Sequence, residues 1–416
     1  MKKVVISGMI GNALEWYDYA LYAQFASIIS QHFFPSQDPM TSLIAAFGVF
    51  AVGFIVRPLG AVLFGIIGDK YGRRAALSLA ILLMSVPTAC IGLLPSYEQI
   101  GIAAPILLTF IRFLQGLSLG GEFSGCIAYV VEHAPMSKRG LAGSTSFVSM
   151  CIGILMGSLT AIFMSSILSE SDLKSWGWRL PFIAGLGIGA IGLYIRMNLS
   201  ESPVYQKAKD EGEISAAPLT EVMVGYMRPL LIAMGIYMNV TIPFYLVTIF
   251  VNNFMQSMLK YPISQAVFIN CMSLLTLIVF MPLSAFVSDR VGRKPILLTG
   301  IILNILLAYP IFLMLNSGGF VLPLISQLLF AASTGIYMGP MPTTLVELFP
   351  TRVRFTGVAV SYNLIAGLFG GTAPMFSFWL INATKNNLSI SYYVIAAAFI
   401  SLLTIVFYQE TFNRKI

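Results

Sequence analysis

"GIIGDKYGRRA", residues 65–75, is matched by "AFVSDRVGRKP", residues 285–295, with Asp69 over Asp289, Gly72 over Gly292 and Arg73 over Arg293 at one offset of 220. A second pair, "VEHAPMSKRGLAG" (131–143) and "VELFPTRVRFTGV" (346–358), sets Glu132 over Glu347, Pro135 over Pro350 and Arg139 over Arg354 at an offset of 215. Two independent matches at nearly one spacing make the chain a duplication whose halves carry the same charged loops.

The stretches between these loops are apolar. Of 416 residues, 57% are hydrophobic and 10% charged, and the mean hydropathy is +0.84, the composition of an integral membrane protein. Crossing roughly 30 Å of hydrocarbon takes about 20 helical residues. Twelve such runs follow one another: 4–31, 41–67, 75–95, 101–130, 141–168, 180–198, 229–256, 264–287, 296–315, 320–346, 355–382 and 391–409. With no water to satisfy the backbone they are expected to be helices. The expected fold class is an all-α polytopic membrane protein, with twelve transmembrane helices in two six-helix pseudo-repeated bundles. The most polar internal stretch, "SESPVYQKAKDEGEISAAPLTE" (200–221), separates them. The expected domains are an N-terminal bundle at 1–199, a cytoplasmic linker at 200–228 and a C-terminal bundle at 229–416. Parallel repeats of this kind are carriers whose bundles rock about a central site.

The net charge of +7 is topological. With both termini inside, 18 of the 24 Lys and Arg lie inside, among them Arg196, Arg414 and Lys415, and four lie outside: Lys174, Arg179, Lys260 and Lys385. That is the positive-inside pattern, so no nucleic acid is implied. Lys2-Lys3 begins span 1 and not a signal peptide, because Asn12, Glu15 and Asp18 interrupt the run. The four cysteines sit in spans without ligand spacing. No nucleophile–base pair or metal cluster stands in the spans. No enzyme activity, cofactor or metal is expected, and the expected partners are a small solute, the proton and the bilayer, with no obligatory protein partner.

Charge inside the spans needs a reason. "GNALEWYDYALY" (11–22) carries Glu15 and Asp18. At 100° per residue Glu15, Asp18, Tyr19, Tyr22 and Phe25 fall within an arc of about 120°, with Glu15 about 16 Å deep. Arg112, Gln115, Leu119 and Glu122 share a face of span 4, and Arg57 lies well within span 2. An ionised group at such depth costs roughly 2.5–3.5 kcal/mol and should find a partner or a wet cavity. These charges either staple helices 1, 2 and 4 together or do work. A carboxylate facing an arginine holds its proton weakly while paired and strongly when desolvated alone. If rocking makes and breaks an Asp18–Arg112 pair, Asp18 becomes a proton carrier, with Glu122 the second candidate and Glu15 more suited to substrate. Three acids against Arg57 and Arg112 leave one negative charge, which one proton neutralises. A zwitterion keeps that balance, a dicarboxylate does not, and the faces of Tyr19, Tyr22 and Phe25 suit quaternary ammonium groups. In span 7, Tyr237, Thr241, Tyr245, Thr248 and Asn252 form a polar stripe within about 80°, expected to complete the cavity, and Pro243 marks a bend there.

The chain resembles the major facilitator superfamily over its whole length. "GDKYGRR" and "SDRVGRK" are similar to its loop motif, and "RFLQGLSLGGE" (112–122) to its span 4 motif. "LEWYDYALY", "VGFIVRPLGAVLFG" (52–65), "GGEFSG" (120–125) and "RMNLSESPVY" (196–205) resemble the metabolite:proton symporter family, which includes proline and betaine carriers and carriers of dicarboxylates, tricarboxylates and shikimate. The "GPxxGG" run of drug antiporters is missing from "CIGILMGSLTA" (151–161), and no coiled-coil extension follows span 12 before Ile416, so neither drug efflux nor osmotic activation is implied. Superfamily sugar symporters pair an acid in span 1 with the span 4 arginine. The resemblance therefore implies Asp18, Arg112 and Glu122 for proton coupling. It implies a cytoplasmic latch from Asp69, Arg73, Glu132 and Arg139 with Asp289, Arg293, Glu347 and Arg354. Substrate contacts are expected from Glu15, Tyr19, Tyr22, Arg57, Gln115, Tyr237, Thr241 and Tyr245. The expected function is proton-coupled uptake of a zwitterion such as proline or glycine betaine through a bacterial-type inner membrane. The alternatives are symport of an organic acid (2-oxoglutarate, citrate or shikimate type) and a non-transporting solute sensor.

Overall fold

Every long apolar run forms a helix. The structure, a computed structural model, describes residues 2–37 and 39–412, so Arg414 and Lys415 lie outside the described residues. The twelve long helical stretches are α1 (Lys2–Phe33), α2 (Pro39–Lys70), α3 (Arg73–Leu93), α4 (Ala103–His133), α5 (Arg139–Ile167) and α6 (Arg179–Met197), then α7 (Met227–Ser257), α8 (Ile263–Val291), α9 (Arg293–Leu315), α10 (Val321–Leu348), α11 (Thr351–Thr384) and α12 (Ser389–Val406). Among the described residues, eleven suffice by length and apolarity to cross a membrane. α1 has the length, 32 residues, and owes its lower apolarity to Asn12, Glu15 and Asp18. The stretch read as a linker contains two short helices, Pro203–Asp210 and Pro218–Gly225.

The chain divides into two compact units. Unit 1 is Met1–His133, Ser149–Leu219 and Thr351–Val360; unit 2 is Ala134–Val148, Thr220–Pro350 and Ser361–Ile416. The first turns of α11 thus group with unit 1, and those of α5 with unit 2.

In unit 1, α2 and α4 pack backbone to backbone. A methyl group on Gly116 would lie 2.6 Å from the Gly53 carbonyl oxygen, so only glycine permits this approach. Lipid is as apolar as leucine, so such close contacts and internal polar bonds hold membrane helices together where a hydrophobic driving force is lacking. α1 also buries Leu14, Leu21, Tyr22 and Ile29 in one core with Trp178 and Phe182. In unit 2, α7 is regular to Tyr245 and then runs as a π-turn over Leu246–Phe250. Pro243 lacks an N–H and breaks the hydrogen-bond ladder just before this change of register. The bend read from the sequence is therefore a π-turn. A second, Ala366–Gly370, interrupts α11.

Candidate functional site

Two of the deep acids of unit 1, Asp18 and Glu122, are ion-paired. Arg112 Nη1 donates to Asp18 Oδ2 at 2.6 Å with both side chains fully buried. Gln115, one turn further along α4, donates through Nε2 to Asp18 Oδ1 at 3.1 Å and to Thr88 Oγ1 of α3 at 2.8 Å. The guanidinium of Arg112 stands 3.9 Å over the Tyr22 ring, 5.6 Å from Tyr19 and 5.9 Å from Phe50. Tyr22 is itself fixed by its hydroxyl, which donates to the Ala46 carbonyl at 2.9 Å. The shared face read on α1 is thus a site in which Asp18, Tyr19 and Tyr22 surround one arginine.

Glu15 lies one turn away. It is fully buried, neither carboxylate oxygen has a hydrogen-bond partner among the described residues, and its charged neighbours are Arg57, Glu122 and Asp18. The Tyr19 hydroxyl and Gln115 Oε1 are likewise buried without a partner among the described residues. Arg57 is buried and sits over the Phe54 ring at 5.9 Å. Buried polar groups are almost always satisfied, so a cluster of open ones marks a place where water or a ligand belongs.

Glu122 has a partner that the sequence concealed. Both of its oxygens accept from Arg196, whose Nη1 and Nη2 also donate to the carbonyls of Leu77 and Ser7. By sequence Arg196 belongs to the inside charges. It is 2% exposed, because the last turn of α6 turns it into unit 1, where it ties α1, α3, α4 and α6 together. The count of buried charges is thereby corrected. Glu15, Asp18 and Glu122 face Arg57, Arg112 and Arg196, so the set is neutral without a bound proton.

Unit 2 holds neutral polarity. Tyr237, Thr241 and Tyr245 are all buried, and Tyr237 meets the Tyr362 ring edge-on at 5.1 Å. Asn304 of α9 donates to Asn239 Oδ1 of α7 at 3.0 Å, and Ser273 donates to Gln327 at 3.3 Å. Sequence reading missed Asn239, Asn304 and Gln327. Gln327 stands 215 residues after Arg112, an offset that would have identified it as the uncharged counterpart.

The repeated loops build two nearly equivalent clusters. In unit 1, Arg73 donates to Asp69 at 2.9 Å, to both oxygens of Glu132 at 3.2 and 3.3 Å, and to the carbonyls of Gly68 and Thr351, each at 2.7 Å. Arg354 donates to Glu132 at 2.8 Å, joining residues from opposite halves of the sequence. Asp69 accepts the backbone N–H groups of Phe355 and Thr356 at 3.1 and 2.8 Å, where a helix start attracts negative charge. In unit 2, Arg293 donates to Asp289 at 2.7 Å and to Glu347 at 3.2 and 3.3 Å. Asp289 accepts from the N–H groups of Gly140 and Leu141 at 2.7 and 2.9 Å, and Arg139 is a charged neighbour of Glu347.

Two further acids complete these clusters. Glu201 accepts from the N–H groups of Arg73 and Arg74, at the start of α3, and Glu410 from those of Arg293 and Lys294, at the start of α9. Gly72 and Gly292 make the preceding turns, at φ of 112° and 101°, values that side chains rarely adopt. The sequence signal was present: an acid follows the last helix of each half, in "SESP" and "YQET". Tyr205, beside Glu201, donates its hydroxyl to the Lys70 carbonyl at 2.9 Å beneath the Arg73 guanidinium, and burial raises its pKa.

A model of the "Sugar (and other) transporter" family matches residues 4–223 and again 220–416. The chain is 35% identical to the glycine betaine/proline/ectoine/pipecolic acid transporter OusA of Dickeya dadantii (strain 3937), over 100% of this chain and 85% of that protein. It is equally similar, with the same coverage, to the proline/betaine transporter of Escherichia coli (strain K12). Among solved structures, the major facilitator superfamily proton:xylose symporter XylE bound to 6-bromo-6-deoxy-D-glucose superposes with a TM-score of 0.80 over 97% of this chain and 94% of that one, at 18% identity. The twelve-helix fold, the duplicated loops and these likenesses agree: the chain belongs to the sugar (and other) transporter family of the major facilitator superfamily, as a multi-pass membrane transporter related to the bacterial proline/betaine transporters.

Proposed function

We propose that this transporter carries a small zwitterion of the proline/betaine type inward with a proton, by alternating access, across a bacterial-type inner membrane with both termini cytoplasmic. The observation that carries the reading is the fully buried Asp18–Arg112 pair. A charge pair held inside membrane helices is a functional site by default, and Asp18 is the acid in it. Relatives named for proline and betaine supply the solute class. With Arg196 paired to Glu122 the set is neutral, so charge balance alone does not choose the solute and that choice rests on the relatives. Uptake of labelled proline and glycine betaine into proteoliposomes, with and without an inward proton gradient, is expected to show gradient-driven accumulation. Accumulation of 2-oxoglutarate or citrate alone would replace the solute class, and flux of nothing would leave a sensor.

Within this reading Asp18 carries the proton, Arg112 and Gln115 hold it, and Glu15, Arg57, Tyr19 and Tyr22 serve the solute with Tyr237, Thr241 and Tyr245. The two loop clusters are the cytoplasmic latch. Glu122, held by Arg196 through both oxygens, keeps the helices together. Glu122→Gln is expected to lower thermal stability, since breaking a buried pair costs about 3–5 kcal/mol, yet to leave accumulation per unit of pH gradient unchanged. Adding Arg196→Gln should restore part of the loss, because both charges then disappear together. Loss of coupling in Glu122→Gln would move the proton site to Glu122.

A further inference from the structure

Arg112 uses only one edge of its guanidinium. Nη1 is bound to Asp18, whereas Nε and Nη2 have no hydrogen-bond partner among the described residues, although the side chain is fully buried. A guanidinium offers five N–H groups in a planar fork, whose edges fit carboxylates. Tyr22, Tyr19 and Phe50 lie against it and hold its position by cation–π attraction, but they offer Nε and Nη2 no acceptor. The charged and titratable groups around this site among the described residues are Glu15, Tyr17, Asp18, Tyr19 and Tyr22 on α1, Arg57 on α2, and Glu122 on α4 with its Arg196 on α6; α3 contributes the neutral Thr88. Both cations besides Arg112 have acids near them: Arg196 is bound to Glu122, and Arg57 lies near Glu15.

We propose that the open edge of Arg112 receives the carboxylate of the transported zwitterion, and that proton and solute are coupled because they share this one guanidinium. The inference rests on the reading of the chain as a proton-linked carrier of a zwitterion. With Asp18 ionised, the solute carboxylate would meet a second carboxylate on the same guanidinium, a local repulsion in a buried site although the zwitterion adds no net charge. A proton from water removes it. An O–H bond forms on the Asp18 carboxyl, the Asp18–Arg112 ion pair becomes a neutral hydrogen bond, and the guanidinium's charge is matched by the solute carboxylate; no bond of the solute breaks. Release on the other side reverses each step. Each ligand therefore strengthens the other by the same factor.

Glycine betaine and choline share the trimethylammonium group, and only betaine has a carboxylate. Binding of both to the purified full chain, measured by calorimetry across a pH series, tests the proposal. Betaine affinity is expected to fall by up to about tenfold per pH unit where Asp18 is ionised in the free protein, and choline binding, if present, to be flat. In Asp18→Asn the betaine slope should vanish. Arg112→Lys, checked by gel filtration for a folded product, should lose far more affinity for betaine than for choline, because an ammonium has no second edge. Choline bound as tightly as betaine with the same slope, or a wild-type slope in Asp18→Asn, would overturn the proposal. If 2-oxoglutarate binds with that slope while betaine and proline do not, the zwitterion reading fails and the shared guanidinium stands. If none of them binds, both fall.

Discussion

Asp18→Asn is expected to abolish proton-driven accumulation while leaving exchange of labelled for unlabelled solute. A solute carried with one proton is concentrated about tenfold per unit of pH gradient, since each unit is worth 1.36 kcal/mol. The variant should reach a ratio of about one under the same gradient. Asparagine keeps one oxygen as acceptor for Arg112 Nη1, and its NH2, standing where Asp18 Oδ1 was, can donate to the open Gln115 Oε1 once that amide turns, so the helices should still assemble. What it lacks is a site that a proton can occupy and leave. The measurement is the steady-state accumulation ratio in proteoliposomes beside the counterflow rate. A wild-type ratio would remove Asp18 from the coupling mechanism, and loss of both readouts with a folded product would make the pair essential to every step.

Arg73→Met is expected to have the largest effect on stability. Arg73 is fully buried and bonds to Asp69, Glu132, Gly68 and Thr351. Its removal takes from Asp69 the arginine beside it and from Glu132 one of its two arginines, leaving Arg354, and breaking a buried pair costs about 3–5 kcal/mol. Arg73→Lys should recover only part, because an ammonium cannot fill a fork between two carboxylates and two carbonyls. In unit 2, Arg293 has the corresponding carboxylates, with Ser288 at 3.1 Å as a further partner, and Arg293→Met should destabilise less. Thermal unfolding in detergent compares the three variants. Equal losses for Arg73→Met and Arg293→Met would mean that the carbonyl bonds of Arg73 add nothing.

How much of this was legible beforehand depended on the kind of signal. The twelve helices followed from apolar runs, because in lipid a backbone must satisfy its own hydrogen bonds and length alone then defines a span. The α1 face followed from the 100° step: Asp18, Tyr19 and Tyr22 do surround one arginine. The partner of Glu122 did not follow. Arg196 lies near the end of a span, where lysine and arginine ordinarily reach toward water, and nothing in "RMNLSESP" tells an inward from an outward rotamer. The caps formed by Glu201 and Glu410 were obscured for a similar reason, since a polar stretch after a helix reads as solvated loop.

The sequence by itself determined the fold class, the duplication and the placing of charge in one half, since each is a matter of composition, spacing and period along one chain. Only the tertiary structure decided which charges neutralise one another. Pairing runs between helices that are far apart in sequence, Asp18 with Arg112, Glu122 with Arg196 and Glu132 with Arg354. A buried charge binds whichever opposite charge packing brings within about 3 Å, and that distance is set by rotamers and close helix contacts such as Gly53 against Gly116, which one-dimensional spacing does not contain.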